Sequence, residues 1–205
     1  MELPASLILA TRNRHKLREF ERLLAPAAIT VRALPEDIEL PPEVGSTFAA
    51  NALPKARAAA AQTGCPTLAD DSGIEAEALS GRPGVLSARY AGPTATDEEN
   101  LAKLESEAQV GSGLRYVCAL AYVDPVAVVE AVFFGDCPGR LAGERRGERG
   151  FGYDPVFLPG GEFEGRTMAE LSDEQKDLIS HRGRAVAALL AATQTGRPGT
   201  RSGET

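Results

Sequence analysis

The opening of the chain constrains its fold more than any other stretch. Ser6-Leu7-Ile8-Leu9-Ala10 is a short unbroken apolar run, the pattern of a buried strand. The polar segment Thr11-Arg12-Asn13-Arg14-His15-Lys16 follows, and then Leu17, Phe20, Leu23 and Leu24 recur on one helical face with charges opposite. Pro26 lies just beyond that helix. Residues 29–34 alternate Ile29, Val31 and Ala33 and predict a second strand. Strand, loop, helix and strand in that order begin an α/β fold.

Downstream, Pro41, Pro42 and Gly45 mark a loop, and an alanine-rich helix is expected over residues 47–62. Pro54 falls inside it and predicts a kink or an irregular turn, because proline lacks the donor for the preceding turn. Residues 67–69 read as a short strand that ends at Asp70-Asp71-Ser72-Gly73, and residues 81–92 as a glycine- and proline-punctuated loop. Thr96-x-x-Glu99 and Ser172-x-x-Gln175 are capping boxes that open helices. Apolar runs over 114–123 and 126–134 flank Asp124-Pro125 as a hairpin, and residues 185–192 read as a closing helix. No internal repeat or linker divides the chain. The expectation is therefore a single domain over residues 1–192 and a disordered tail over 193–205, where only Gly, Ser, Thr, Arg, Pro and similar residues remain.

Charge and cysteine content narrow the function. With 22 Lys and Arg against 29 Asp and Glu in 205 residues, the net charge is −7. Non-specific nucleic-acid binding, which needs a basic face, is a poor fit. Cys65, Cys118 and Cys137 are widely spaced and odd in number, which suits a reduced, cytoplasmic setting better than disulfides or a zinc site. The first ten residues lack the basic start of a signal peptide. No apolar run reaches the roughly 18 residues of a membrane span, so no membrane partner is expected.

Five constellations carry candidate chemistry. Thr11-x-Asn13-x-x-Lys16 lies where a loop opens a helix, with backbone N–H groups, two polar side chains and a cation to offer a phosphate; a polar helix start with a solvated lysine looks the same. Asp70-Asp71-Ser72-Gly73 offers paired carboxylates to a hard cation and a water, or forms a plain turn. Glu43 precedes a helix on which Asn51 and Lys55, four apart, share a face. Gly150-Phe151-Gly152-Tyr153-Asp154-Pro155 places two aromatics where a base stacks and an acid where a ring N–H is accepted, or is a structural turn. Lys176 with Ser180-His181-Arg182 offers donors for a purine carbonyl or a phosphate. His15 and His181 stand alone, which argues against a histidine-built metal site.

Taken in order, these segments, together with Thr47-Phe48-Ala49-Ala50-Asn51-Ala52-x-x-Lys55-Ala56 and Pro83-Gly84-x-x-Ser87-Ala88-Arg89-Tyr90-Ala91-Gly92, resemble the inosine triphosphate pyrophosphatase family over residues 6–190. The resemblance implies an elongated α/β protein with a central mixed sheet flanked by helices in two lobes, the active site lying in the cleft between them. It implies hydrolysis of inosine, xanthosine and deoxyinosine triphosphates to monophosphate and pyrophosphate, a magnesium cofactor that manganese can replace, and a homodimer. Carried over by position, Thr11, Asn13, Lys16 and Lys55 hold phosphates and Ser72 contacts substrate. Glu43 and Asp71, with Asp70 beside them, hold the metal, and Asp71 accepts the proton of the attacking water. Phe151, Gly152, Tyr153, Asp154, Lys176, His181 and Arg182 bind the nucleoside. The family's usual Glu before the Asn of the second motif is Ala50 here, which shifts weight onto Glu43. A pyrophosphatase for modified pyrimidine nucleotides and a non-hydrolysing nucleotide sensor are the alternatives; the paired carboxylates favour the enzyme.

Overall fold

The computed structural model of the chain describes residues 2–194. Among these residues, six strands form one mixed sheet: β1 (Ser6–Leu9), β2 (Thr30–Ala33), β3 (Thr67–Ala76), β4 (Gly113–Asp124), β5 (Val129–Leu141) and β6 (Phe157–Pro159). Their order across the sheet is β2-β1-β3-β4-β5-β6. β1 runs parallel to both β2 and β3, and the remaining neighbours are antiparallel. The helices are α1 (Arg14–Leu24), α2 (Phe48–Thr63), α3 (Asp97–Glu107), α4 (Asp173–Ile179) and α5 (His181–Gln194). The α/β class and its mixed, helix-flanked sheet are those expected.

The apolar run of β1 is continuous because both faces of the strand are covered. Leu7 and Leu9 join Phe20 and Leu24 of α1 and Ala185, Val186 and Leu189 of α5 on one face. Ile8 and Ala10 join Ala52, Ala56 and Ala59 of α2 on the other. The alternation continues in β4, where Cys118, Leu120 and Tyr122 face α1 and α5 while Ala119 and Ala121 face α2. Small residues on both sides of that second interface let α2 lie close to the sheet. A third cluster gathers Ile74 and Ala76 of β3, Leu114 and Tyr116 of β4 and Leu141 of β5 with Leu101 and Leu104 of α3 and Phe157 of β6.

Several local expectations are corrected. β3 does not end at Asp70: it continues to Ala76, with Asp70, Asp71, Ser72 and Gly73 paired to Leu120, Ala119, Cys118 and Val117 of β4. Gly73 is demanded by close approach and not by a turn, since a Cβ there would lie 2.3 Å from Ser87 Oγ. The chain stays helical through Pro54, so no irregular turn forms. Pro54 faces solvent. Ala33 is exposed, so the expected alternation stops at Val31; Leu34, past the strand's end, is buried on the opposite, α2 side. The last helix begins at His181, four residues before the expected start, and runs to Gln194. Thr193 and Gln194 thus belong to α5, and the rest of the expected tail lies outside the described residues. Both capping boxes are present.

Candidate active site

The loop after β1, the loop before α2, the middle of β3, residues 150–154 and the start of α5 surround a cavity of about 390 Å3. Every expected site residue except Asp70 lines it. The exception follows from the pleat. Successive strand residues point to opposite faces, so Asp71 turns with Ala69 toward α2, and Asp70 turns with Leu68 toward α1 and α5.

Asp70 is therefore a buried counter-ion. Lys16 Nζ lies 2.9 Å from its Oδ1, Arg182 Nε 3.2 Å from its Oδ2, and Ser72 Oγ donates to Oδ2 at 2.7 Å. Burial pushes its carboxyl up, but the charges of Lys16, Arg182 and Lys55 outweigh it and hold the group far below the usual carboxylate range. The expectation that Asp70 shares a metal with Asp71 is corrected on this ground. Asp71, by contrast, accepts only from Asn51 Nδ2, at 2.9 Å, among the described residues. Burial raises its carboxyl above the usual range, Glu43 adds to the rise, and Lys55 and Asn51 offset only part of it.

At the phosphate end, Asn13 caps α1. Its Oδ1 accepts from the backbone N–H groups of His15 and Lys16, and Thr11 Oγ1 accepts from Asn13 N–H. Those two helix-start donors are thus engaged, and the amide nitrogen of Asn13 remains to meet a phosphate. Lys55 Nζ donates to Glu43 Oε1 at 2.5 Å and to the Asp70 carbonyl at 2.8 Å. Burial raises the Glu43 carboxyl, yet Lys55, with Lys16 and Arg89, brings it below its ordinary value. Arg89 also donates to the Glu43 carbonyl at 2.9 Å, which explains a use for the Ser87-Ala88-Arg89 motif.

At the other end, Asp154 accepts from Tyr116 O–H on one oxygen and from Lys176 Nζ and Phe151 N–H on the other. Asp154 thus anchors Lys176 while still lining the cavity, with acceptor capacity left on Oδ1. Lys176 also pairs with Glu19 at 2.7 Å, and Glu19 pairs with Arg182 at 2.8 Å. Three of the five guanidinium N–H donors of Arg182 are engaged by Asp70, Glu19 and Ser72, which leaves two without a hydrogen-bond partner among the described residues. His181 stacks on Tyr116 at 4.7 Å, and burial keeps it neutral. Its buried Nδ1 finds no hydrogen-bond partner among the described residues, while the residue lines the cavity. Phe151 stacks on His15 at 5.1 Å, Tyr153 O–H donates to the Ser87 carbonyl, and Gly152 N–H donates to Asp97.

Glu19, the centre of this buried chain of alternating charges, was not legible as a site residue. It sits among the charged residues of α1, and its partners, Lys176 and Arg182, are distant in sequence. Arg12, which ties the loop to the carbonyls of Leu34, Glu36 and Ile38, was likewise missed.

The donor set fits a hard divalent cation. Asp71 and Glu43 line one cavity with oxygen ligands, and no group of three or more His, Cys, Asp or Glu residues able to hold a metal occurs among the described residues. Two carboxylates of this kind suit a hard divalent cation whose other ligands are substrate oxygens and water.

Comparison with known proteins agrees with this geometry. A family model described as the Ham1 family matches residues 7–192. The dITP/XTP pyrophosphatase of Frankia alni is 48% identical over 203 residues, covering 92% of this chain and 98% of that protein. The dITP/XTP pyrophosphatase of Cutibacterium acnes is 45% identical over 197 residues, covering 91% and 95%. Among solved structures, a HAM1 protein from Coxiella burnetii superposes with a TM-score of 0.80 at 39% identity, covering 93% of this chain and 99% of that one.

Proposed function

The chain belongs to the Ham1 family, and on that premise we propose how its cleft carries out the family's reaction. The protein is a nucleoside triphosphate pyrophosphatase that hydrolyses non-canonical purine nucleoside triphosphates, of the dITP and XTP kind, to the monophosphate and pyrophosphate. It depends on a divalent metal.

Asp71 accepts a proton from the water that attacks the α-phosphorus. Its carboxylate faces the cavity beside Glu43, placed to take that proton. Asp71 and Glu43 would hold magnesium, or manganese in its place, and such a cation would supply charge neutralisation for the triphosphate. Lys16, Lys55, Thr11 and the amide of Asn13 meet the phosphate oxygens, and Ser72 positions the same end. Phe151, Gly152 and Tyr153 wall the base, with Asp154 steadying Lys176. The remaining donors of Lys176 and Arg182, with His181 beside them, address the 6-oxo group of hypoxanthine or xanthine. Adenine presents an amino group there and leaves buried donors unmet, at a cost of about 1–3 kcal/mol each. The enzyme works as a homodimer in the cytoplasm. No helix among the described residues is long and apolar enough to cross a membrane.

The observation that carries this reading is the division of labour on β3: one carboxylate neutralised within the fold, its neighbour raised and facing the cavity beside Glu43. Asp71→Asn should keep the fold and abolish pyrophosphate release from inosine triphosphate in magnesium. Near wild-type turnover by that variant would refute the assignment. A wild-type preference for uridine over inosine triphosphate would favour a pyrimidine enzyme, and binding without release a sensor.

A further inference from the structure

Asn51 is 3% exposed, lies outside the cavity lining, and holds two parts of the site at once. Its Nδ2 donates to Asp71 Oδ2 at 2.9 Å, and its Oδ1 accepts from Gly45 N–H at 2.7 Å. Gly45 closes the loop that carries Glu43. A Cβ at Gly45 would come within 2.7 Å of Asn51 Oδ1 and 2.8 Å of Ala50 Cβ, so only glycine lets the loop approach this closely. Helix α2 supplies the rigidity: Thr47 caps it, and Asn51 projects from its second turn next to the face that buries Ala52 and Ala56 against the sheet.

We propose that Asn51 is a positioning residue that sets the two metal-binding carboxylates relative to each other, by orienting Asp71 directly and Glu43 through the Gly45 loop. The proposal rests on the assignment of Asp71 and Glu43 made above. By engaging Oδ2, the amide fixes the plane of the Asp71 carboxylate and leaves Oδ1 for the ligand and the water. By engaging Gly45, it stops the loop from carrying Glu43 away from β3. Lys55, one turn further along the same face, grips the Glu43 side chain itself. One helix face therefore presets both carboxylates on different chain segments. Partners of this kind behind metal ligands typically matter 10- to 100-fold in metal affinity or activity.

The test uses three variants of the full chain and manganese as the probe. Asn51→Leu, close in shape but without donor or acceptor, should lower kcat on inosine triphosphate and manganese affinity in direct calorimetric titration, each by about 10- to 100-fold. Because Asn51 does not line the cavity, KM for the nucleotide at saturating metal should stay within about 3-fold. Gly45→Ala, whose Cβ would crowd Asn51 Oδ1 and push the loop off while keeping the Asn51 donor itself, should weaken manganese binding with a smaller loss in kcat. It also keeps the test decisive if Asn51→Leu folds poorly. Wild-type manganese affinity in both variants, or a rise in KM matching the fall in kcat, would overturn the proposal. Asp71→Asn separates the two levels: if it is inactive while the Asn51 and Gly45 variants behave as wild type, this inference alone fails; if it is active, the underlying assignment fails with it.

Discussion

Asp70 and Asp71 are the same residue one peptide apart, and only their surroundings separate them. Asp70 touches two cations and is held far below its ordinary value; Asp71 meets one neutral amide among the described residues and is raised. The lowered group has a consequence for stability against acid. A carboxyl depressed in the fold favours the native state fully above its unfolded value of about 3.9, and that contribution drains away as pH falls toward the folded value. Asp70→Asn should therefore start less stable at pH 7, because Lys16 and Arg182 lose a buried counter-charge, at a cost of about 3–5 kcal/mol. Its melting temperature should then fall less steeply than that of the wild type below pH 4. Parallel melting curves for the two proteins from pH 7 to pH 3 would contradict the assignment of Asp70 as a buried anion. Adjacent acids at a glycine read as easily as a turn as they do as a strand, so the sequence held the identities of both aspartates but not their faces. Glu19 was hidden for a related reason: a helical glutamate is judged by its own helix, and its partners are residues more than 150 positions away.

At the level of elements, the reading from sequence succeeded where local chemistry decides and failed where pairing or packing does. Strand β1, helix α1 and the two capping boxes follow from apolar spacing and short-range hydrogen bonds. β3 extends through turn-forming residues because β4 pairs with it along the whole stretch, and no local signal announces a partner strand more than forty residues downstream. Helix α5 starts early behind Ser180, whose hydroxyl accepts from Gly183 N–H, a cap signal that Gly183 itself masked. Pro54 offers a test at this scale. It removes one hydrogen bond from an exposed position of α2, while Lys55 beside it remains fixed by Glu43 and the Asp70 carbonyl. Pro54→Ala should stabilise the protein by about 1–3 kcal/mol, visible as a higher melting temperature, and leave kcat unchanged. A loss of activity would mean that the proline shapes how Lys55 is presented.

Across the whole molecule, a chain of net charge −7 concentrates cations around one cleft. Lys16, Lys55, Lys176 and Arg182 come from four helices, α1, α2, α4 and α5, and converge there because α1 and α5 pack on one face of the sheet, α2 on the other, and α4 leads directly into α5. The ordered series of motifs was legible in the sequence and located the cleft; the charge network that spaces its two ends was not, because it exists only once those faces are assembled. The central claim is that this cleft delivers water to the α-phosphorus of a 6-oxopurine nucleotide with Asp71 as the base. Hydrolysis of inosine triphosphate in ¹⁸O-labelled water, with both products weighed by mass spectrometry, tests it most directly. The label should appear in inosine monophosphate, with unlabelled pyrophosphate as its equimolar partner. Label in pyrophosphate, or release of orthophosphate with the diphosphate, would contradict the account.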